Sequence, residues 1–136
     1  MPFVAVLSLL AVLTTPASHA PLPSERTCAA LSTPVTGPII DDFAPVGSYA
    51  GHWGIDYGVP IGTRVGAADA GLVTFAGSVA GMLAVSVDHG GGLKTSYSYL
   101  SEIAVSSGAR LHAGGHVGVS GEHHGMAALH FSVGFI

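Results

Sequence analysis

Charge is scarce in this sequence. Only 9% of its 136 residues are Asp, Glu, Lys or Arg, and the four cationic ones are outnumbered by eight acidic ones. No basic stripe exists to neutralise a phosphate backbone, so a nucleic-acid partner is excluded on electrostatic grounds. Cysteine occurs once, at Cys28. A single thiol excludes an internal disulfide framework, and Cys28 is read as a free thiol in a flexible leader. No apolar run reaches the ~20 residues that a membrane-spanning helix requires. The longest, Val4 to Leu13, is half that length. Outside it, no window of helical length carries a 3.6-residue apolar stripe, which excludes a helical bundle.

What the sequence has in abundance is glycine, 20 residues of it, between short apolar runs. Residues 1–20 read as a secretory signal: the apolar run is followed by small residues, and Ser18-His19-Ala20 fits a small-x-small cleavage site. Export to an extracellular, periplasmic or wall-associated location is therefore expected. No Lys or Arg precedes the run and Pro21 follows the cut, so removal of the segment and its retention as an anchor both stay open. Residues 21–36, with Pro21, Pro23 and Pro34 and no periodicity, form a leader. Residues 37–136 form one domain. Strands are expected at His52–Tyr57, Thr63–Ala67, Gly71–Ala76, Leu83–Val87, Thr95–Leu100, Ile103–Val105, His116–Val119 and Leu129–Val133. Their even spacing and glycine punctuation predict an all-β fold, an antiparallel sandwich or barrel-like sheet.

Within that pattern, Gly51-His52-Trp53-Gly54-Ile55-Asp56-Tyr57-Gly58 pairs an imidazole with a carboxylate between glycines, and Leu129-His130-Phe131 adds a second imidazole. Two His and one Asp make a three-ligand zinc set with a fourth position left for water. His-x-x-x-Asp alone is a weak signal, and its bland alternative is an imidazole–carboxylate hydrogen bond beside a turn. On a strand, Leu129 and Phe131 face one side and His130 the other, so one face can pack the core while the other presents a ligand. His89 ends a strand at a glycine turn and reads as structural. His112 and His116 lie in glycine-rich turns and read as solvated.

Four stretches in order, GHWGIDYGVPIGTRV, AADAGLVTFAG, VDHGGGLKTSYSYL and ALHFSV, resemble the lysostaphin/LytM-type zinc endopeptidases, which cut peptide cross-links of peptidoglycan. The resemblance runs from about Gly37 to Val133. It implies that His52, Asp56 and His130 are zinc ligands and that peptidoglycan peptides are the substrate. Family members commonly continue past the last ligand, so the sequence is expected to stop short of the usual C-terminus.

Two departures bear on catalysis. Active members carry His-x-His before the final Phe, the first His acting as general base; here that position is Ala128. They also carry a His in Tyr-x-His-Leu that supports the oxyanion; here the motif reads Tyr97-Ser98-Tyr99-Leu100. Tyr99 can donate a hydroxyl to an oxyanion, although its bland role is strand packing. Glu122, His123 and His124, ahead of the last ligand, are candidates for a replacement base, against the plainer alternative of a polar surface loop. Losing a general base costs about 10²–10⁴ in rate. Two readings follow: a zinc endopeptidase with a replacement base, or a non-catalytic zinc-containing domain that binds the wall or regulates a wall-associated protein partner.

Overall fold

The computed structural model describes residues 30–135. The signal segment, Cys28 and the first part of the leader lie outside the described residues. Eleven strands and no helix occur among them: β1 (Ile39–Asp41), β2 (Ala44–Val46), β3 (Ala50–His52), β4 (Ile55–Gly58), β5 (Arg64–Gly66), β6 (Gly71–Val79), β7 (Met82–Asp88), β8 (Leu93–Ile103), β9 (Arg110–Leu111), β10 (His116–His123) and β11 (Met126–Phe135). Nine of them form one sheet in the order β1-β4-β11-β10-β8-β7-β6-β9, with β5 on β10 and β11 also pairing β8; β2 and β3 form a separate ribbon. The pairings are antiparallel. The expected all-β antiparallel architecture is the observed one.

Two tight hairpins set the registers. Ala80-Gly81, between β6 and β7, and His124-Gly125, between β10 and β11, all have positive φ. Two consecutive left-handed residues make a type I′ turn, whose twist matches that of the flanking strands. Val79 therefore pairs with Met82 and His123 with Met126. His123 is the last residue of a strand rather than part of a loop, and the connection to β11 is two residues long.

The core lies on one face of the central strands. Tyr97, Leu129, Val65, Val73, Val85, Val87 and Val117 are fully buried, and Phe131 packs with them. Each such aliphatic or aromatic side chain contributes roughly 1.5–3 kcal/mol through removal from water. The Tyr97 hydroxyl accepts from Ala68 N–H at 2.7 Å and from the Thr95 hydroxyl at 3.0 Å, and Thr95 Oγ1 also bonds His89 Nε2 at 2.8 Å. His89 Nδ1 reaches the Ala70 carbonyl at 2.8 Å, so this imidazole is structural and satisfied at both nitrogens.

The expected strand His52–Tyr57 is broken into β3 and β4 by a bend at Trp53-Gly54. The break has a functional consequence. In an unbroken strand, residues four apart are separated by about 13 Å and could not share an ion. The expected strand Ile103–Val105 is not separate; Ile103 ends β8, which runs on from Leu93. The sequence reading also missed β1, β2 and β9, each only two or three residues long.

Candidate metal centre

On the face of β11 opposite the core, three donors converge. β11 pairs β4 with Asp56 opposite His130, and the Trp53-Gly54 bend returns His52 to the same place. His52 Nε2 lies 3.1 Å from Asp56 Oδ1 and 3.0 Å from His130 Nδ1, and His130 Nδ1 lies 2.8 Å from Asp56 Oδ1. Gly54 makes this approach feasible. A Cβ there would sit 2.7 Å from both Cε1 and Nε2 of His130 and 2.6 Å from the Phe131 carbonyl.

The donor chemistry fits a metal ion. His52 Nδ1 bonds the Asp42 carbonyl at 2.7 Å. Only a donor satisfies a carbonyl, so the proton is on Nδ1 and the Nε2 lone pair points at Asp56 and His130. That is how a metal-binding imidazole is usually oriented by its second nitrogen. A lone pair, a carboxylate oxygen and a second imidazole nitrogen then meet within 3.1 Å. A proton or a cation must lie among them to offset the repulsion. His52, Asp56 and His130 form a metal-capable group by spacing alone, and two imidazoles with one carboxylate is a known catalytic zinc set.

The electrostatics point the same way at Asp56 and His130. Burial pushes the Asp56 carboxyl up, but hydrogen bonds from His123 and His130, and their charges, outweigh it and hold the group below its ordinary value. Burial, together with the charges of His52 and His123, lowers His130 against the raising effect of Asp56, so its neutral, ligating form is favoured. For His52, burial also lowers, yet the Asp42 carbonyl and the carboxylates of Asp56 and Asp41 win and raise it.

The three candidates for a replacement base part company. His123 is buried, and its Nδ1 lies 2.6 Å from Asp56 Oδ2. His124 occupies the hairpin turn with φ 51°, exposed, its ring centroid 4.0 Å from that of His123. Glu122 projects from the opposite face of β10, since strand neighbours alternate, and is exposed there. Tyr99 is brought to the site by strain. Alternation would send it to the core beside Tyr97, but it adopts φ 60° where the β7 pairing skips it, two residues before the β10 pairing skips Ser101. Such a bulge re-aims a side chain next to a site. The Tyr99 ring stacks on His123 at 3.8 Å and meets His130 edge-on at 6.3 Å. Ala128 is fully buried on the His130 face.

These groups open on a cleft of about 470 Å³, walled by Gly51, His52, Trp53, Tyr99, His123 and His130 among others. The Trp53 indole is held by its N–H to the Ala50 carbonyl at 2.9 Å and by edge contact with Phe43 at 6.2 Å.

None of the curated proteins compared matches the sequence. Solved structures do. Csd3 of Helicobacter pylori is 29% identical with a TM-score of 0.68, over 77% of this chain and 30% of that one. A zinc-containing peptidase of Vibrio cholerae is 28% identical with a TM-score of 0.67, over 77% of this chain and 36% of that one. The catalytic domain of the prophage-encoded M23 protein EnpA of Enterococcus faecalis, solved as an alanine-to-histidine mutant, is 27% identical with a TM-score of 0.64, over 79% and 88%. The chain thus spans about a third of the length of the first two. The sequence profile of peptidase family M23 matches residues 50–135, which contain His52, Asp56 and His130 and every strand but β1 and β2. The chain belongs to peptidase family M23.

Proposed function

We propose that this chain is an exported zinc metallopeptidase-type domain acting on the peptide cross-links of peptidoglycan, with His52, Asp56 and His130 as the zinc ligands. The observation that carries the reading is the meeting of His52 Nε2, Asp56 Oδ1 and His130 Nδ1 within 3.1 Å, beside a cleft lined by His52 and His130. When bound, zinc supplies Lewis acidity, polarising a peptide carbonyl and acidifying water towards pKa ~7. The protein's own side chains hold and orient. The Asp42 carbonyl fixes the His52 tautomer, and Trp53 and Tyr99 wall the cleft. His123 stands ready to hold a proton at Nε2, the nitrogen that Asp56 does not occupy. The Tyr99 hydroxyl is a donor and not a base at neutral pH, since phenol titrates near ~10.

A second reading rests on Ala128 and Tyr99, which stand where active relatives carry histidines. It is a zinc-containing domain without peptidase activity that binds the wall or regulates a protein there.

The deciding experiment measures zinc and cleavage together. Protein refolded with zinc and then dialysed is expected to carry close to one zinc per chain by elemental analysis. Release of amino groups from purified cell walls favours the peptidase, and bound zinc without release favours the second reading. Metal-free wild type sinks both. Export is expected to show as secretion or wall association of the tagged full-length chain, and a purely cytosolic pool would rule it out.

A further inference from the structure

At Ala128 the side chain ends at Cβ, and the His123 imidazole crosses the space in front of it. His123 lies on β10 and Asp56 on β4, and β11 runs between them in the sheet. The His123–Asp56 hydrogen bond therefore spans β11. On this face of β11 the residue between Met126 and His130 is Ala128, whose side chain ends at Cβ. A larger residue there would block the path.

We infer that His123 is a positioning residue of the metal centre: its Nδ1–H holds the outer oxygen of Asp56, so that Asp56 presents only Oδ1 to the ion. This inference rests on the zinc reading above. Three observations support it. The contact is short, 2.6 Å, and both partners are buried, which is the geometry of a charge-assisted hydrogen bond. Oδ1 of the same carboxylate already faces His52 and His130, so Oδ2 has no other protein partner among the described residues. His123 is itself held, with the rings of Tyr99 at 3.8 Å and His124 at 4.0 Å beside it. The bulge that aims Tyr99 fits closely against β10 because residue 121 is glycine: a Cβ on Gly121 would lie 2.6 Å from the Tyr99 carbonyl. Tyr99 thus acts on the metal through His123, by its ring rather than its hydroxyl.

Partners that orient a metal-binding side chain typically change metal affinity by about 10–100-fold when removed. The test is zinc affinity of the full chain, measured by competition with a chromogenic zinc chelator near neutral pH. His123→Ala is expected to weaken zinc binding by about 10–100-fold. His123→Asn places an amide N–H where Nδ1–H stood and is expected to recover most of that loss. Tyr99→Phe keeps the ring and is expected to bind zinc like wild type. Glu122→Ala, on the opposite face, serves as the unchanged control. Thermal midpoints of the metal-free variants check that the effect is not general unfolding. If the alanine variant does not fold, the imidazole nitrogen NMR spectrum of metal-free wild type decides, with a proton on His123 Nδ1 expected and an unprotonated Nδ1 overturning the assignment. Zinc affinity of His123→Ala within about fivefold of wild type, short of the range above, also overturns it. A wild type that takes up no zinc at all is a different failure, that of the proposed function itself.

Discussion

Asp56→Ala is expected to leave the chain without zinc and with a less stable metal-free fold. Asp56 is the hub of the site: its carboxylate meets His52 Nε2 at 3.1 Å, His130 Nδ1 at 2.8 Å and His123 Nδ1 at 2.6 Å. The substitution removes one of the three proposed ligands and leaves the His52 and His130 imidazoles without the Asp56 carboxylate. Loss of an orienting partner alone costs 10–100-fold in affinity, so loss of the ligand it orients should exceed about 100-fold. The metal-free fold suffers separately. The His123 N–H is buried with Asp56 as its partner, and an abandoned buried donor costs about 1–3 kcal/mol. Asp56→Asn keeps the volume and one acceptor oxygen, so its stability cost should be smaller while its zinc loss stays large. Elemental analysis after refolding with zinc, and urea unfolding of the metal-free proteins, read these effects in the two variants. Near-stoichiometric zinc in Asp56→Ala would remove Asp56 from the ligand set.

The sequence disclosed the outline of this site better than its mechanics. Leu129-His130-Phe131 could be read because strand alternation is a local rule: two apolar residues on the core face put His130 on the other. The all-β class was legible for a related reason, with apolar runs of strand length and glycine between them. The bend at Trp53-Gly54 was hidden. At the bend Gly54 leaves room for the His130 imidazole, 78 residues from His52 in the chain, and no local window contains that contact. The roles of His123, His124 and Glu122 could not be separated for the same sort of reason. Adjacent residues of like polarity differ only by the face they take, and that was fixed by where the hairpin turn falls. His124-Gly125 is a dipeptide able to adopt two left-handed conformations, and recognising it as a type I′ turn would have placed His123 inward and Glu122 outward. Tyr99 could be placed at the site only by the resemblance of Tyr97-Ser98-Tyr99-Leu100 to the family motif, because strand alternation points it to the core and its side chain instead follows a bulge set by pairings with other strands.

Cleavage of purified cell walls is expected to be absent, or slower by about 10²–10⁴ than in a relative with both histidines, the usual contribution of a positioned general base. Restoring activity is not a matter of two substitutions alone. Ala128→His puts a ring into the path by which His123 crosses β11, and overfilling a packed site costs roughly 1–3 kcal/mol. Tyr99→His faces less resistance, since histidine tolerates the left-handed backbone that residue 99 adopts. Ala128→His with Tyr99→His should therefore gain little while His123 remains, and adding His123→Ser should clear the space and raise cleavage by about 10² or more. The alternative outcome is equally definite. If His123 Nε2 already serves as the base, wild type cleaves, His123→Ala abolishes cleavage beyond what its weakened zinc explains at saturating metal, and Glu122→Ala does nothing. Strong wild-type cleavage that survives His123→Ala and His124→Ala at saturating zinc would show that neither imidazole takes the proton. The missing histidine at Ala128 would then not have been needed.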